Sequence, residues 1–456
     1  MEATTSGVLR SIAVTTLTTW TLTMATSTTT IRTTTITCVR SPALNFLIIC
    51  ANKDKIMLRQ IKHEYVSYEE LYKAYLDCRK HKWKTRNASE FQMNLSLNLT
   101  FLYYELNTEK YKVGRSIAFI VDKPVKREVF AADFRDRIVH HLVINRIMNA
   151  FENNMINNSF SCRKGKGTLY GVKTLESECA EITENYSKTA YVLKCDLKSF
   201  FMTISKELLY NKVIEMVKTD VYPDDEENFK FICNLIKLII FNNPQDGWIK
   251  KQKASKWKLL PKDKSLINIP RTHGIPIGNL TSQIFANYFL SDFDKFVYNE
   301  SGFKYYGRYV DDFYILSYNK QKLLNSINKI RDELNKIGVK LHPNKLYIQD
   351  INKGVKFIGA IIKPNRTYIS NRTVGNLKQF LYTFNKKYNI SNITDHDIIK
   401  FISSFNSYMG FLKHYNTFNI RRKVIRNIIV SHMGNFIYSD GNFSKIIKKE
   451  RFKPLF

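Results

Sequence analysis

The most regular alternation of apolar and polar positions lies around residues 305–316. Tyr305, Tyr306, Tyr309 and Val310 lead into two adjacent acids, Asp311 and Asp312, and Phe313, Tyr314, Ile315 and Leu316 follow them. Period-two patterning on both flanks predicts a β-hairpin with the two carboxylates at its tip. Residues 191–196 read as another strand, which ends on Asp196 and passes through a turn into a helix carrying Phe201. Short strands are expected around 117–120 and 125–130, on either side of Pro124, and a strand pair around 355–361. Elsewhere the period is helical: residues 68–104, 207–243, 284–290 and 320–337 follow it, and the last hundred residues are helical and basic.

Two like charges side by side are costly to bury, and a protein neutralises or avoids them. A divalent metal is the simplest compensation, because hard cations such as Mg²⁺ take carboxylate oxygens. Taken alone, the pair could equally be an Asx turn with both acids in water. Asp196 changes that balance, since it ends a strand 115 residues before Asp311. Three acids so placed are what two-metal phosphoryl transfer needs, one ion activating a primer 3′-hydroxyl and the other holding the leaving pyrophosphate.

The chain has 456 residues, room for two or three subdomains with cores of their own. A formal charge of +31 attracts phosphate polymers and repels itself without one. No run of 18 or more apolar residues offers a membrane span, so the charge points to nucleic acid rather than lipid. Seven cysteines without a CxxC pair fit reduced thiols in a cytosolic setting. Residues 1–56 stand apart: 16 of the first 40 are Thr, the first Lys is Lys53, and the only acid before Asp54 is Glu2. This composition is that of a transit peptide, without helical periodicity. We expect a leader that is disordered or outside the working protein, with the functional chain starting near Met57.

Several basic stretches could meet nucleic acid or nucleotide. Residues 79–84, basic around Trp83, could clamp a backbone and stack a base, or be a solvated helix end. The hairpin with Lys123 and Arg127 could hold a triphosphate, Arg by its fork and Lys as a point charge. In the helix beyond it, Asp136 with Arg137 reads as a structural ion pair, and His140 and His141 as packed imidazoles. Residues 161–168 form a Gly-rich basic loop without the GK[ST] ending of a P-loop, so Arg163 and Lys164 are expected on a template backbone. Lys-rich residues 248–264 look like an exposed insertion. Residues 274–283, including Ile277, Gly278 and Gln283, open an apolar helix, where Gly permits close backbone approach and Thr281 and Ser282 could cap.

Together these motifs resemble those of reverse transcriptases, over roughly residues 60–430. Residues 309–312, Tyr-Val-Asp-Asp, resemble the family's metal-binding tetrad, and Asp196 with Phe201 resembles its partner motif. The resemblance implies an α+β right-hand polymerase. Residues 57–190 would be N-terminal helices and α/β fingers, 191–362 an antiparallel-sheet palm with an insertion at about 213–270, and 363–456 a basic helical thumb and C-terminal tail. It implies two Mg²⁺ ions, with Mn²⁺ as a substitute, on Asp196, Asp311, Asp312 and the backbone of Leu197. Phe201 would be the steric gate that excludes a ribose 2′-hydroxyl. Lys123 and Arg127 would hold the triphosphate, and Ile277, Gly278 and Gln283 would lie at the incoming nucleotide. Lys345 stands where the family has its candidate acid for protonating pyrophosphate, while Tyr309, Phe357 and Gly359 stand where primer is gripped. The implied partners are an RNA template, a DNA or RNA primer, dNTPs, a structured RNA encoded nearby and an accessory protein. The expected setting is the cytoplasm, with a bacterial or phage-encoded gene and no membrane.

Within the family, residues 277–283 resemble the enzymes of diversity-generating retroelements. Group II intron and retroviral enzymes usually place Gln just before the Gly, where this chain has Ile277, and losing that amide loosens base selection. Residues 131–141 and 406–415 look like the same group and its antiphage-defence relatives. The expected function is error-prone cDNA synthesis for such a retroelement, with a defence reverse transcriptase as the alternative. A non-catalytic RNA-binding scaffold is the reading from another class, and retention of three acids opposes it. Phe201 opposes an RNA-dependent RNA polymerase.

Overall fold

The computed structural model describes side chains over residues 61–80, 82, 85–122, 125–387, 393–428 and 433–449. It describes backbone alone over 16–25, 31–41, 44–52, 55–60, 429–430 and 432. Lys123, His81, Trp83 and Lys84 lie outside the described residues.

The chain opens on an antiparallel meander of β1 (Thr16–Ala25), β2 (Ile31–Ser41), β3 (Leu44–Asn52) and β4 (Lys55–Gln60). Its Thr-rich sequence favours extended backbone. Next come α1 (Tyr68–Arg79), α2 (Arg86–Met93) and α3 (Leu95–Asn107). Ser67 caps α1 by accepting from the Glu70 amide, and Leu71, Ala74, Tyr75 and Cys78 form its buried face. The expected hairpin around Pro124 is β5 (Ser116–Val121) with β6 (Arg127–Ala131), followed by α4 (Phe134–Asn154).

Then come α5 (Thr168–Ile182), β7 (Tyr191–Asp196), α6 (Phe200–Thr203), α7 (Lys206–Met216) and α8 (Glu226–Ile240). The Lys-rich stretch holds β8 (Trp248–Lys250) and α9 (Ser255–Lys258), ahead of α10 (Leu280–Phe289) and α11 (Ser291–Lys295). The expected acidic hairpin is β9 (Tyr305–Tyr309) with β10 (Asp312–Ser317). Beyond it lie α12 (Lys320–Lys336), β11 (Tyr347–Asp350), β12 (Val355–Phe357), β13 (Ala360–Lys363) and β14 (Arg366–Ile369). The C-terminal part holds α13 (Asn371–Lys387), α14 (Asp395–Leu412), α15 (Phe418–Val430) and a hairpin of β15 (Ile437–Ser439) and β16 (Ile446–Lys448). The hairpin follows the helices expected over this stretch. The Asn406 side chain on α14 clamps it, exchanging 2.8 Å bonds with the Ile446 amide and carbonyl.

The fold is mixed α+β in two compact units: residues 1–152 with 204–285, and residues 153–203 with 286–456. These bounds differ from the sequence-based ones, because 204–285 joins the N-terminal unit and α5 joins the strands of the second. In the first unit one sheet has the order β6-β5-β8, with β8 parallel to β5. In the second, the main sheet runs β11-β7-β10-β9 and every pairing is antiparallel. Among the described residues no helix is long and apolar enough to cross a membrane.

The second unit's core surrounds Tyr314, Phe160 and Phe357, all fully buried. Gly307 lets the Tyr314 ring pass: a Cβ there would stand 2.5 Å from the Tyr314 hydroxyl. That hydroxyl donates to Glu178 Oε2 at 2.7 Å, and Asn158 donates to Oε1 at 2.8 Å. Burial pushes the Glu178 carboxyl up from 4.5 to about 7. Folded protein therefore holds a proton here between those values that the unfolded chain releases, so this contribution to stability falls as pH rises to about 7. Buried His140, pushed down to about 3, contributes the opposite slope up to 6.5. We expect Glu178→Gln to remove a loss of about 2–3 kcal/mol between pH 4.5 and 7, read as the difference between the melting profiles of the two proteins. Parallel profiles would contradict it.

Candidate active site

The acids meet where strands end. β7 and β10 pair so that Asp196 lies opposite Asp312, and Val310 and Asp311 form the tip between β9 and β10. The Leu197 amide donates to the Asp311 carbonyl at 2.9 Å, which ties the tip to the end of β7. Opposed like charges repel across a sheet, and two lysines answer them. Lys345 Nζ is 2.9 Å from Asp196 Oδ1. It is delivered by a segment bonded to the end of β7, with Lys198 N on the Lys340 carbonyl at 2.8 Å and His342 N on the Asp196 carbonyl at 2.7 Å.

The second lysine escaped the sequence reading. Lys194 lies on β7 two residues before Asp196, hence on the same face. Its ammonium contacts the Asp312 carboxylate and lies 4.8 Å from the centre of the Phe357 ring. Only 5% of Lys194 is exposed, and burial pushes its ammonium down to about 7 against the pull of Cys195, Asp196 and Asp311. The available signal was a charge inside an apolar strand, in phase with an acid.

Arg308 on β9 was missed as well. Its guanidinium is fully buried and pairs with Asp294, Nε to Oδ1 at 2.7 Å and one terminal nitrogen to Oδ2 at 2.5 Å. The other terminal nitrogen donates to Asn287 Oδ1 and to the Val310 carbonyl, each at 2.9 Å. Val310 has φ +58°, a left-handed conformation that β-branched residues avoid. A buried ion pair thus holds the strained residue directly before Asp311.

In the first unit, the loop before α10 lies along β6. Phe130 N donates to the Ile277 carbonyl at 2.9 Å, and Ala132 N to Asn279 Oδ1 at 2.9 Å. Gly278 has φ +124°, and a Cβ there would meet Val129 Cγ1 at 2.6 Å, so close approach explains this glycine. Arg127, at the start of β6, and Gln283, on α10, are exposed, and Ile277 is half-buried. Thr281 and Ser282 are buried, and the Thr281 hydroxyl lies 3.2 Å from His140 Nδ1, so it is not the expected cap. Asp136 accepts from Tyr111 and Gly114 and pairs with Arg135, not with Arg137, whose Nε donates to the Ala132 carbonyl.

Residues 125–362 match the family described as reverse transcriptase (RNA-dependent DNA polymerase). The chain belongs to that family. Among solved structures it is similar to apo telomerase from Candida tropicalis truncated from its C-terminal domain. That match has a TM-score of 0.42 and 14% identity, over 56% of this chain and 55% of that one. Telomerase from Candida albicans in complex with a TWJ fragment of telomeric RNA matches with a TM-score of 0.39 and 10% identity, over 71% and 59% of the two chains. Apo telomerase from Candida tropicalis gives 0.40 and 13%, over 71% and 57%. The chain thus spans less than two thirds of each of these structures. No curated protein matches it.

Other residues that the reverse transcriptase resemblance singled out fall into two groups. Phe201, on α6 just after Ser199 with φ +48°, is half-buried against Phe200, and Tyr309 is half-buried at the end of β9. Gly359 turns between β12 and β13 with φ +84°, and Lys164 is exposed. Two of these side chains are engaged within the protein. Phe357 is fully buried, edge-on to Tyr314 at 5.0 Å, and builds the core. Arg163 turns one terminal nitrogen onto the Ile156 and Ser159 carbonyls, at 2.5 and 3.0 Å, and thereby holds its own loop.

Carboxylate and carbonyl oxygens at the ends of β7 and β9 are the hard donors that Mg²⁺ takes. Among the described residues no group of three or more His, Cys, Asp or Glu side chains is arranged to hold a metal. Lys194 and Lys345 sit on two of the three acids instead. The donor set fits a divalent cation by its chemistry, and the lysines supply the positive charge that the acids require.

Proposed function

We propose that the chain synthesises DNA on an RNA template, as a right-hand polymerase whose palm is the four-stranded sheet of the second unit. The observation that supports this best is the register of Asp196 opposite Asp312, with Asp311 at the adjoining tip, in a member of the reverse transcriptase family. Asp196, Asp311, the Leu197 carbonyl and Asp312 would hold two Mg²⁺ ions. When bound, these supply activation of the primer 3′-hydroxyl and charge for the leaving pyrophosphate. Lys345, whose ammonium lies beside Asp196, would donate a proton to pyrophosphate. Lys123 and Arg127 would bind the triphosphate, and Tyr309, Gly359 and Lys164 the primer and template. Ile277, which offers no amide before Gly278, supports an error-prone enzyme of a diversity-generating retroelement.

Primer extension on RNA and DNA templates with Mg²⁺, with the products sequenced, tests the reading. Errors concentrated at one template base support the retroelement assignment. No synthesis by the wild type, even with its own flanking RNA supplied, would leave an RNA-binding scaffold. Phe201 gives a separate expectation. With the ring removed, nothing there clashes with a 2′-hydroxyl, so Phe201→Ala should raise ribonucleotide incorporation relative to dNTP by about 10–100-fold. Unchanged selectivity in single-nucleotide extension would remove Phe201 from the gate.

A further inference from the structure

The Lys-rich insertion is built onto the first unit's sheet instead of hanging from it. β8 adds to β5 in parallel, and Lys251 N extends the ladder to the Ala118 carbonyl at 3.1 Å. Gln252 continues the edge with its side chain, accepting from Ile120 N at 3.0 Å and donating to the Ile120 carbonyl at 3.2 Å. Glu128 on β6, 1% exposed, closes the far end. It accepts from Trp257 Nε1 at 2.8 Å, Ser265 Oγ at 3.0 Å and Leu266 N at 2.7 Å. A polar group buried and satisfied in this way fixes the segment in one position.

What the insertion leaves outside is charge. Residues 248–264 contain seven lysines against one aspartate, and all seven lysines are exposed. Both tryptophans of the stretch are spent on attachment: Trp248 lies 5.2 Å from Phe130, and Trp257 lies 5.4 Å from Trp248 and donates to Glu128. Single strands are usually gripped by cations together with aromatic platforms on which bases stack. With its ammonium groups exposed and both indoles half-buried in attachment contacts, this surface suits phosphates better than it suits stacked bases. Double-helical nucleic acid, whose bases are already stacked, fits that chemistry. The family works on RNA, which makes folded RNA a double-helical occupant of fitting charge.

We propose that the insertion at 248–264 is a docking surface for the phosphate backbone of double-helical RNA. This rests on the family's use of RNA and deepens the proposed function by giving the structured RNA partner a site. It does not require synthesis, so binding is measured in both the wild type and the Asp311→Asn/Asp312→Asn protein. The test variant is Lys250→Gln/Lys251→Gln/Lys253→Gln/Lys258→Gln in the full chain, titrated by fluorescence anisotropy against an RNA hairpin stem of about 20 base pairs at several salt concentrations. A control removes the same charge elsewhere, from exposed Lys320, Lys322, Lys329 and Lys336 on α12, and melting curves confirm that both variants fold.

Affinity of the insertion variant should fall about 10–100-fold, and the slope of log K against log salt should flatten by about 2–4, near 0.9 per lost phosphate contact. The α12 control should change affinity by less than about threefold. Equal losses in both variants would mean net charge alone, and an unchanged slope would mean that these lysines do not touch RNA. Equal lysine dependence for a DNA duplex or an unpaired RNA would overturn the assignment to double-helical RNA.

Discussion

Replacing Asp311 with Asn is expected to reduce primer extension by about a thousandfold or more, while melting shifts by no more than a degree or two. Asn keeps the volume and removes only the charge. The contact that fixes the tip is made by the Asp311 backbone carbonyl with Leu197 N, so it survives the substitution. Asp312→Asn should differ in an informative way. Its carboxylate is the partner of buried Lys194, and neutralising it leaves that ammonium with less compensation. We expect a comparable loss of activity together with about 1–2 kcal/mol of stability, discounted because Asp312 is about a third exposed. Extension at saturating dNTP beside thermal melting separates the two. Activity of Asp311→Asn within tenfold of wild type would remove this residue from the catalytic centre.

The contrast shows which parts of the centre were legible in the chain. The Asp-Asp hairpin could be read because period-two apolar residues flank it on both sides, and Asp196 because its strand stops there. Both are local signals. Lys194 and Arg308 were hidden because a charged side chain in a strand reads as solvent-facing until its partner is known. Those partners, Asp312 and Asp294, come from elsewhere in the fold. Phe357 shows the converse. Val355 and Phe357 share one strand face and both are buried, so periodicity marked a core position where the family resemblance implied a primer contact. Arg163 sits in a loop whose composition suits phosphate, yet carbonyl groups of that same loop take its guanidinium. The division into two units was not legible either, since residues 204–285 join the N-terminal unit through pairings such as β5 with β8, whose strands lie far apart in sequence.

Arg308 offers the second large effect, and it separates stability from positioning. Arg308→Met should cost about 3–5 kcal/mol, because it leaves the Asp294 carboxylate buried without its partner. Asn287 and Tyr306 share in the loss: Asn287 gives up a donor to its side chain, and the Tyr306 hydroxyl remains alone on Asp294 Oδ1 at 2.5 Å. A loss of activity in that variant does not separate unfolding from misplacement, so the informative protein is Arg308→Met/Asp294→Leu. Replacing both charges with apolar groups of similar volume removes the uncompensated ion, and much of the lost stability should return. What cannot return is the 2.9 Å bond from the guanidinium to the Val310 carbonyl. Val310 would then be free to leave its left-handed conformation, a relaxation worth about 1–3 kcal/mol, and Asp311 would move with it. The double variant should melt well above Arg308→Met, short of the wild type by about 1–3 kcal/mol for the buried Tyr306 hydroxyl left without its acceptor. It should still extend primers at least about tenfold more slowly than the wild type, with the loss in kcat more than in KM for dNTP. Full activity in a folded double variant would show that the tip holds its shape without Arg308. Recovery of stability without recovery of rate would assign the buried pair to positioning the carboxylate.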